Sequence, residues 1–358
     1  MNKGFEMKKM ILFAVLVMLA LIGCSSKTDK YTKYENLQDN RKPISWGQDR
    51  VIYVFADDPV WKYAETPLRE TLERYEFTSN NEQYFEVNRA DIKNIDQFFR
   101  FRNLIFLCDL ESNLPVAEYV KHVLPKEKLF EIQKNRVGVF KDQNMWANDQ
   151  QVMFVGGDNL QDLLKITILQ KQTIFKIFSD RLDARTAFHV YQMPVLSKEY
   201  FQDYPFTLKV PEQYRIYKND PKGHFLSFLY RNLHESDDTP DKYISVYYDK
   251  MDTDQVTQDW LIKKRADFAW KYFDQDEFKM EDINISQVSF NNKTAWQISG
   301  RWQNKKYKIG GAFRSIAFWE PKQKTAYIRD SSVFFPAGEK LSYLLELQAI
   351  SNSFQIKK

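Results

Sequence analysis

The chain has 358 residues, 43% of them hydrophobic and 28% charged, with a formal net charge of +4. That is an ordinary globular balance, long enough for two domains and too weakly basic to argue for a nucleic-acid partner. Its two cysteines, Cys24 and Cys108, exclude a disulfide framework if the first is modified.

In chain order, the N-terminus says where the protein works. Lys3, Lys8 and Lys9 precede an uncharged run, 10–22, of 13 residues. A basic start, a short apolar run and small residues make an export signal. As a helix this run is about 20 Å long, against a hydrocarbon core of about 30 Å, so it is too short for a comfortable permanent span. Met7, just before Lys8-Lys9, is an alternative start. The run closes on Leu21-Ile22-Gly23-Cys24, which resembles a bacterial lipobox. The resemblance implies that the signal peptide 1–23 is cut and that Cys24 becomes a lipidated N-terminus carrying acyl chains such as palmitate. Two chains suffice for stable anchoring at about 0.8 kcal/mol per buried methylene. Ser25-Ser26 follows, with no Asp to hold the protein in an inner membrane, so the expected place is the outer membrane, facing the periplasm. Loss of the signal leaves the body at about +2.

Residues 24–47 read as lipid anchor and flexible tether, polar and with a typical reach of roughly 25 Å. Residues 48–192 read as an α/β domain. Val51-Ile52-Tyr53-Val54-Phe55-Ala56 is a continuous apolar run, the mark of a strand buried on both faces. Asp57-Asp58-Pro59 then starts a helix, with acidic caps and an early proline. Strands follow at 84–87, 104–107, 137–140 and 152–155. Helices are expected at 91–99, at 114–134 with a break at Pro125, and from Gly156-Gly157-Asp158-Asn159 toward Tyr191. Strands alternating with helices predict a layered α/β fold. Cys108, within the buried strand, reads as a packed, inert thiol.

Residues 193–358 read as an α+β domain: a mainly antiparallel sheet with two covering helices. Strands are expected at 206–210, 214–217, 225–230, 243–248, 285–290, 294–300, 306–319 and 325–335. One helix runs over 253–273, with Asp252 and Gln255 resembling a capping box. The other follows Pro336, with Tyr343, Leu347, Ile350 and Phe354 on one face.

Candidate chemistry is thin. Asp57, Asp58 and Asp109 each follow a predicted strand, and read as helix caps and solvated loops; the alternative is that in a parallel sheet they converge on the carboxyl edge and hold magnesium. Gly156-Gly157-Asp158-Asn159 offers amides at a helix start, but without a phosphate-binding glycine fingerprint it reads as a capped turn. His234-Glu235-Ser236-Asp237-Asp238 reads as a solvated loop, with a cation site as the alternative. Gly310-Gly311 inside a strand, with Trp302 and Phe313 nearby, marks a bulge, core packing or a binding groove. His122, His189 and His224 stand isolated, and no nucleophile elbow occurs. The 16% aromatic content fits a strand-rich core; an exposed platform for glycan or lipid is the sharper alternative.

Three stretches carry a family resemblance: W-Q-I-S-G-R-W at 296–302, Y-K-I-G-G-A-F-R-S at 307–315 and V-F-F-P-A-G-E-K-L-S-Y-L-L-E-L-Q-A-I at 333–350. They resemble a family of bacterial envelope lipoproteins known as domain of unknown function 4837. Its outline of lipobox, early strand ending in Asp with a following Trp, and strand-Pro-helix close resembles 54–61 and 335–350 here, so the resemblance extends over nearly the whole mature chain. Ala312 stands where a proline is usual, and Lys340-Leu341 where a basic pair is usual. The family implies no reaction and no catalytic residues. The expected function is a lipid-anchored envelope protein, held to the membrane through Cys24, that binds or scaffolds an envelope protein or glycan without a cofactor. The alternatives are a hydrolase using the acidic sheet edge and a lipid or glycan carrier.

Overall fold

A computed structural model describes residues 41–231, 239–290 and 293–357. Cys24 and the loop His234-Glu235-Ser236-Asp237-Asp238 lie outside the described residues.

The first half is built on a five-stranded sheet, ordered β4-β1-β5-β7-β6. Its strands are β1 (Val51–Ala56), β4 (Glu86–Ala90), β5 (Asn103–Asp109), β6 (Val137–Gln143) and β7 (Gln151–Gly157). All pairs are parallel except β6 with β7. Both faces of the central strands are covered, which is why 51–56 and 103–109 read as unbroken apolar runs. On one face lie α1 (Asp58–Leu72), α4 (Leu160–Leu169) and α5 (Lys171–Val190). On the other lie α2 (Pro115–Val123) and α3 (Lys126–Asn135). The expected α/β layering is present.

The expected long helix after Gly157 is two helices that meet at Gln170, whose backbone has left helical geometry at φ −97°, ψ 15°. A hairpin, β2 (Tyr75–Phe77) with β3 (Asn81–Gln83), follows α1. Its turn residues Ser79 and Asn80 are the local signal for it.

The second half is a seven-stranded antiparallel sheet, ordered β12-β13-β14-β15-β11-β10-β9. The short β8 (Phe206–Thr207) precedes it. The strands are β9 (Arg215–Asp220), β10 (Phe225–Tyr230), β11 (Asp241–Lys250), β12 (Ile283–Phe290), β13 (Lys293–Asn304), β14 (Ile309–Glu320) and β15 (Thr325–Phe334). Helix α6 (Gln258–Tyr272) covers one face. Helix α7 (Leu341–Ser351) and the segment 201–214 cover the other. The α+β expectation thus holds, with its two covering helices. The start of α6 differs: Thr257, not Asp252, is its cap, accepting from the Trp260 N–H at 3.1 Å. Asp252 sits five residues too early to reach a first-turn amide.

Helices α5 and α7 join the halves. Leu341 and Leu345 of α7 are buried in the core that α1, α4 and α5 share with the first sheet, while Ala187 and Val190 of α5 are buried in the second core. Each fully buried leucine contributes about 2 kcal/mol. The hairpin closes the seam with charge. Glu82, buried, accepts from the Lys340 N–H at 2.9 Å and the Leu341 N–H at 2.7 Å, capping α7 from the other half of the molecule. Thr78 Oγ1 donates to the same carboxylate at 2.5 Å, and Glu76 accepts from Arg314 Nη2 at 2.8 Å.

Candidate functional site

The parallel strands direct their carboxyl ends to one edge of the first sheet. The connection leaving β1 runs to the α1 face and the one leaving β5 to the α2 face, so adjacent strands part there and leave a crevice. A cleft of about 700 Å³ occupies this edge. Its walls come from the end of β1 with the start of α1 (Ala56 to Pro59), the end of β4 (Arg89 to Lys93) and the start of α2 (Leu114 to Val116).

Asp57 forms the inner wall. It makes no cap bond to its own helix. Its carboxylate instead accepts from the Val116 N–H at 3.0 Å and the Ala117 N–H at 3.1 Å, satisfying two first-turn donors of α2. Pro115 opens that helix, its ring already at the right φ and its missing N–H no loss. Asp58 points outward and pairs with Arg89 at 2.6 Å; Arg89 also donates to the Ala56 carbonyl at 2.9 Å, and its guanidinium lies 5.6 Å from the Trp61 ring centre. The Asp58 side chain is 89% exposed, so this pair contributes under about 1 kcal/mol. Asp91 accepts from the Lys93 N–H at 3.0 Å. Asp109, at the end of β5, accepts from the Glu111 N–H at 3.1 Å.

The three aspartates expected at the sheet edge are therefore all there, but each is turned to a different donor. No group of three or more His, Cys, Asp or Glu side chains among the described residues is arranged to hold a metal. Cys108 is buried next to Asp109, and burial pushes its thiol up to about 12, which leaves it protonated. Asn159 caps α4 through the Asp162 N–H at 3.1 Å, the capped turn expected after Gly156-Gly157.

In the second half, Trp302, Gly310, Gly311 and Phe313 do come together, but as core. Trp302 is 3% and Phe313 0% exposed, both beneath α6, so core packing, and not the alternative groove, is what they form. Gly311 is where β14 comes against its neighbours: a Cβ there would lie 2.0 Å from the Val333 carbonyl oxygen. What sequence reasoning missed lies alongside. Arg265 of α6 and Asp330 of β15, 2% and 1% exposed, face each other at 3.4 Å. The Arg265 guanidinium stacks on Phe313 at 4.0 Å, and Ser315 donates to Asp330. Near the end of α6, burial pushes the Asp276 carboxyl up to about 6, against the pull of Asn304, which donates to it at 2.8 Å. The only signal for this cluster was a single charge, Arg265, set among the apolar positions of a helix. A smaller groove of about 370 Å³ runs along the seam, between Arg50, Glu86, Glu339 and Ser342.

Residues 181–353 match the family model described as Domain of unknown function (DUF4837), and residues 45–188 match a separate one, Domain of unknown function (DUF8532). The first is the family expected from 296–350; it covers the second half and not nearly the whole chain, because a different family accounts for the α/β half. Among curated proteins nothing matches. Among solved structures the chain is similar to LpqN, involved in cell envelope biogenesis of Mycobacterium tuberculosis, at 14% identity over 43% of this chain and 83% of that one, with a TM-score of 0.27. It is also similar to the Saccharomyces cerevisiae Ran-binding protein Mog1p, at 10% identity over 42% and 90%, TM-score 0.30. A third is cyanobacterial PsbP from Synechocystis sp. PCC 6803, at 13% identity over 43% and 88%, TM-score 0.29. The two halves thus match two different family models of unknown function, DUF8532 in the first half and DUF4837 in the second.

Proposed function

We propose that this is a cell-envelope protein, anchored by lipid on Cys24 to the periplasmic side of the outer membrane, whose two-domain body binds or scaffolds a partner at the cleft on the carboxyl edge of the first sheet. The lipobox-like end of the leader, followed by Ser25-Ser26, supports the anchor and its place. The observation that carries binding over acid chemistry is the engagement of Asp57. The one buried carboxylate in the cleft is held by two amides of α2, so it builds the wall. The remaining rim, Asp58, Arg89, Asp91 and Lys93, presents both signs of charge around a floor of Ala90, Ile92 and Val116, a surface suited to a polypeptide or glycan.

The test is site-directed photocrosslinking in intact cells. A crosslinker replacing Ile92, at the cleft, is expected to capture a discrete partner; one replacing Tyr307, in the β13–β14 turn, is not. Capture from both positions alike, or from neither, overturns the cleft. Intact-mass measurement of the native protein reads the anchor directly, and an unmodified Cys24 overturns it.

A further inference from the structure

The amino edge of the first sheet, opposite the cleft, carries a second feature. Residues 42–46 are pinned between the loops that lead into β5 and β7. The Trp46 N–H donates to the Arg100 carbonyl at 2.8 Å, the Ser45 N–H to the Asn148 carbonyl at 3.1 Å, and Lys42 Nζ to the Asn144 carbonyl at 2.5 Å. Despite this anchorage, Ile44 is 72% and Trp46 50% exposed. Gly47 follows at φ 91°, a left-handed turn, and the Trp46 ring lies edge-on against Phe101, 5.8 Å between centres. The Arg100 guanidinium sits 4.9 Å from the same indole and donates to the Ile44 carbonyl at 3.0 Å. Asp49, three residues after Trp46, is already paired with Arg102. Two large apolar side chains, fixed and turned outward, are thus bordered by the cations of Arg100 and Lys42.

We infer that this face, Ile44 and Trp46 with Arg100 and Lys42, docks on the headgroup layer of an anionic lipid bilayer. An indole beside a cation matches an interface that is apolar on one side and charged on the other. Cations near such a surface are attracted by its anionic headgroups. The position agrees: Arg41 stands 17 residues after Cys24, so a lipid at Cys24 lies at most about 60 Å along the chain from the first described residue. The inference rests on the lipid anchor of the proposed function, and it deepens that reading by giving the body an orientation. β1 has six residues and rises about 20 Å from its amino to its carboxyl end. With Trp46 at the lipid, the cleft faces away from the membrane, open to a partner in the aqueous space.

The experiment uses the mature, lipidated protein in vesicles of phosphatidylethanolamine and phosphatidylglycerol with brominated acyl chains, which quench only indoles at the bilayer. Wild type is compared with Trp46→Phe and with Trp270→Phe, which removes another exposed tryptophan, on α6. Expected is quenching that disappears in Trp46→Phe, persists in Trp270→Phe, and falls at least twofold in the doubly substituted Ile44→Ser, Arg100→Gln. Circular dichroism checks that each variant is folded. Quenching unchanged by Trp46→Phe, or abolished by Trp270→Phe instead, overturns the docking face while leaving the anchor intact. An unlipidated Cys24, read by mass, removes the anchor and the docking face together.

Discussion

The two sheets use charge in opposite ways. In the first, the carboxylates sit at strand ends and turn to backbone amides: Asp57 to the start of α2 and Asp109 to its own turn. In the second, Arg265 and Asp330 meet side chain to side chain in the middle of the sheet, beneath a helix. Strand ends of a parallel sheet lie beside helix starts, where unsatisfied N–H groups welcome an anion. An antiparallel sheet has no such row of helix starts, and a charge in its interior needs a countercharge brought by another element. The first arrangement leaves an open edge with a cleft; the second closes a face.

The sharpest way to break this contrast is at the buried pair. Arg265→Met strands Asp330 and is expected to cost on the order of 3–5 kcal/mol in urea denaturation, whereas Arg265→Met with Asp330→Leu recovers most of it. If the single variant costs under about 1 kcal/mol, the pair is not the keystone of the second sheet. Next comes the seam. Glu82→Ala leaves two buried amides of α7 without their acceptor, for a loss of about 1–3 kcal/mol, and hydrogen exchange at Lys340 and Leu341 is expected to quicken before that of β15. Unchanged exchange there would mean that the hairpin does not hold α7.

Asp57→Ala is expected to lower stability by about 1–2 kcal/mol and Asp58→Ala by under about 0.5 kcal/mol, since the first caps a helix and the second makes only an exposed pair. Equal losses would erase the distinction between wall and rim in the cleft. The last effect has the opposite sign. The Asp276 carboxyl is raised in the folded protein to about 6, from an ordinary value near 3.8. The folded state therefore holds a proton that the unfolded state has released between about pH 4 and 6, and stability falls as pH rises through that window. Asp276→Asn is expected to remove this slope and to gain on the order of 1 kcal/mol at pH 7, measured by denaturation at pH 4.5 and 7.

Apolar periodicity was enough to read the layered α/β half and the antiparallel half with its two helices. Unbroken runs such as 51–56 require cover on both faces, and the stripe of Leu347 and Ile350 requires cover on one, whatever the neighbours turn out to be. The lipobox-like stretch at Cys24 and the motifs of the second half were legible for the same reason: local order carries them. The partners of the polar groups were not. Asp57 looks the same in the sequence whether it faces a metal or the amides of a helix 59 residues away, and Trp302 the same whether it lines a groove or lies under α6. Glu82, Arg265 and the seating of Trp46 depend on which distant backbone arrives beside them. A hydrogen bond or an ion pair acts over a few ångströms, and such distances are set when the chain packs.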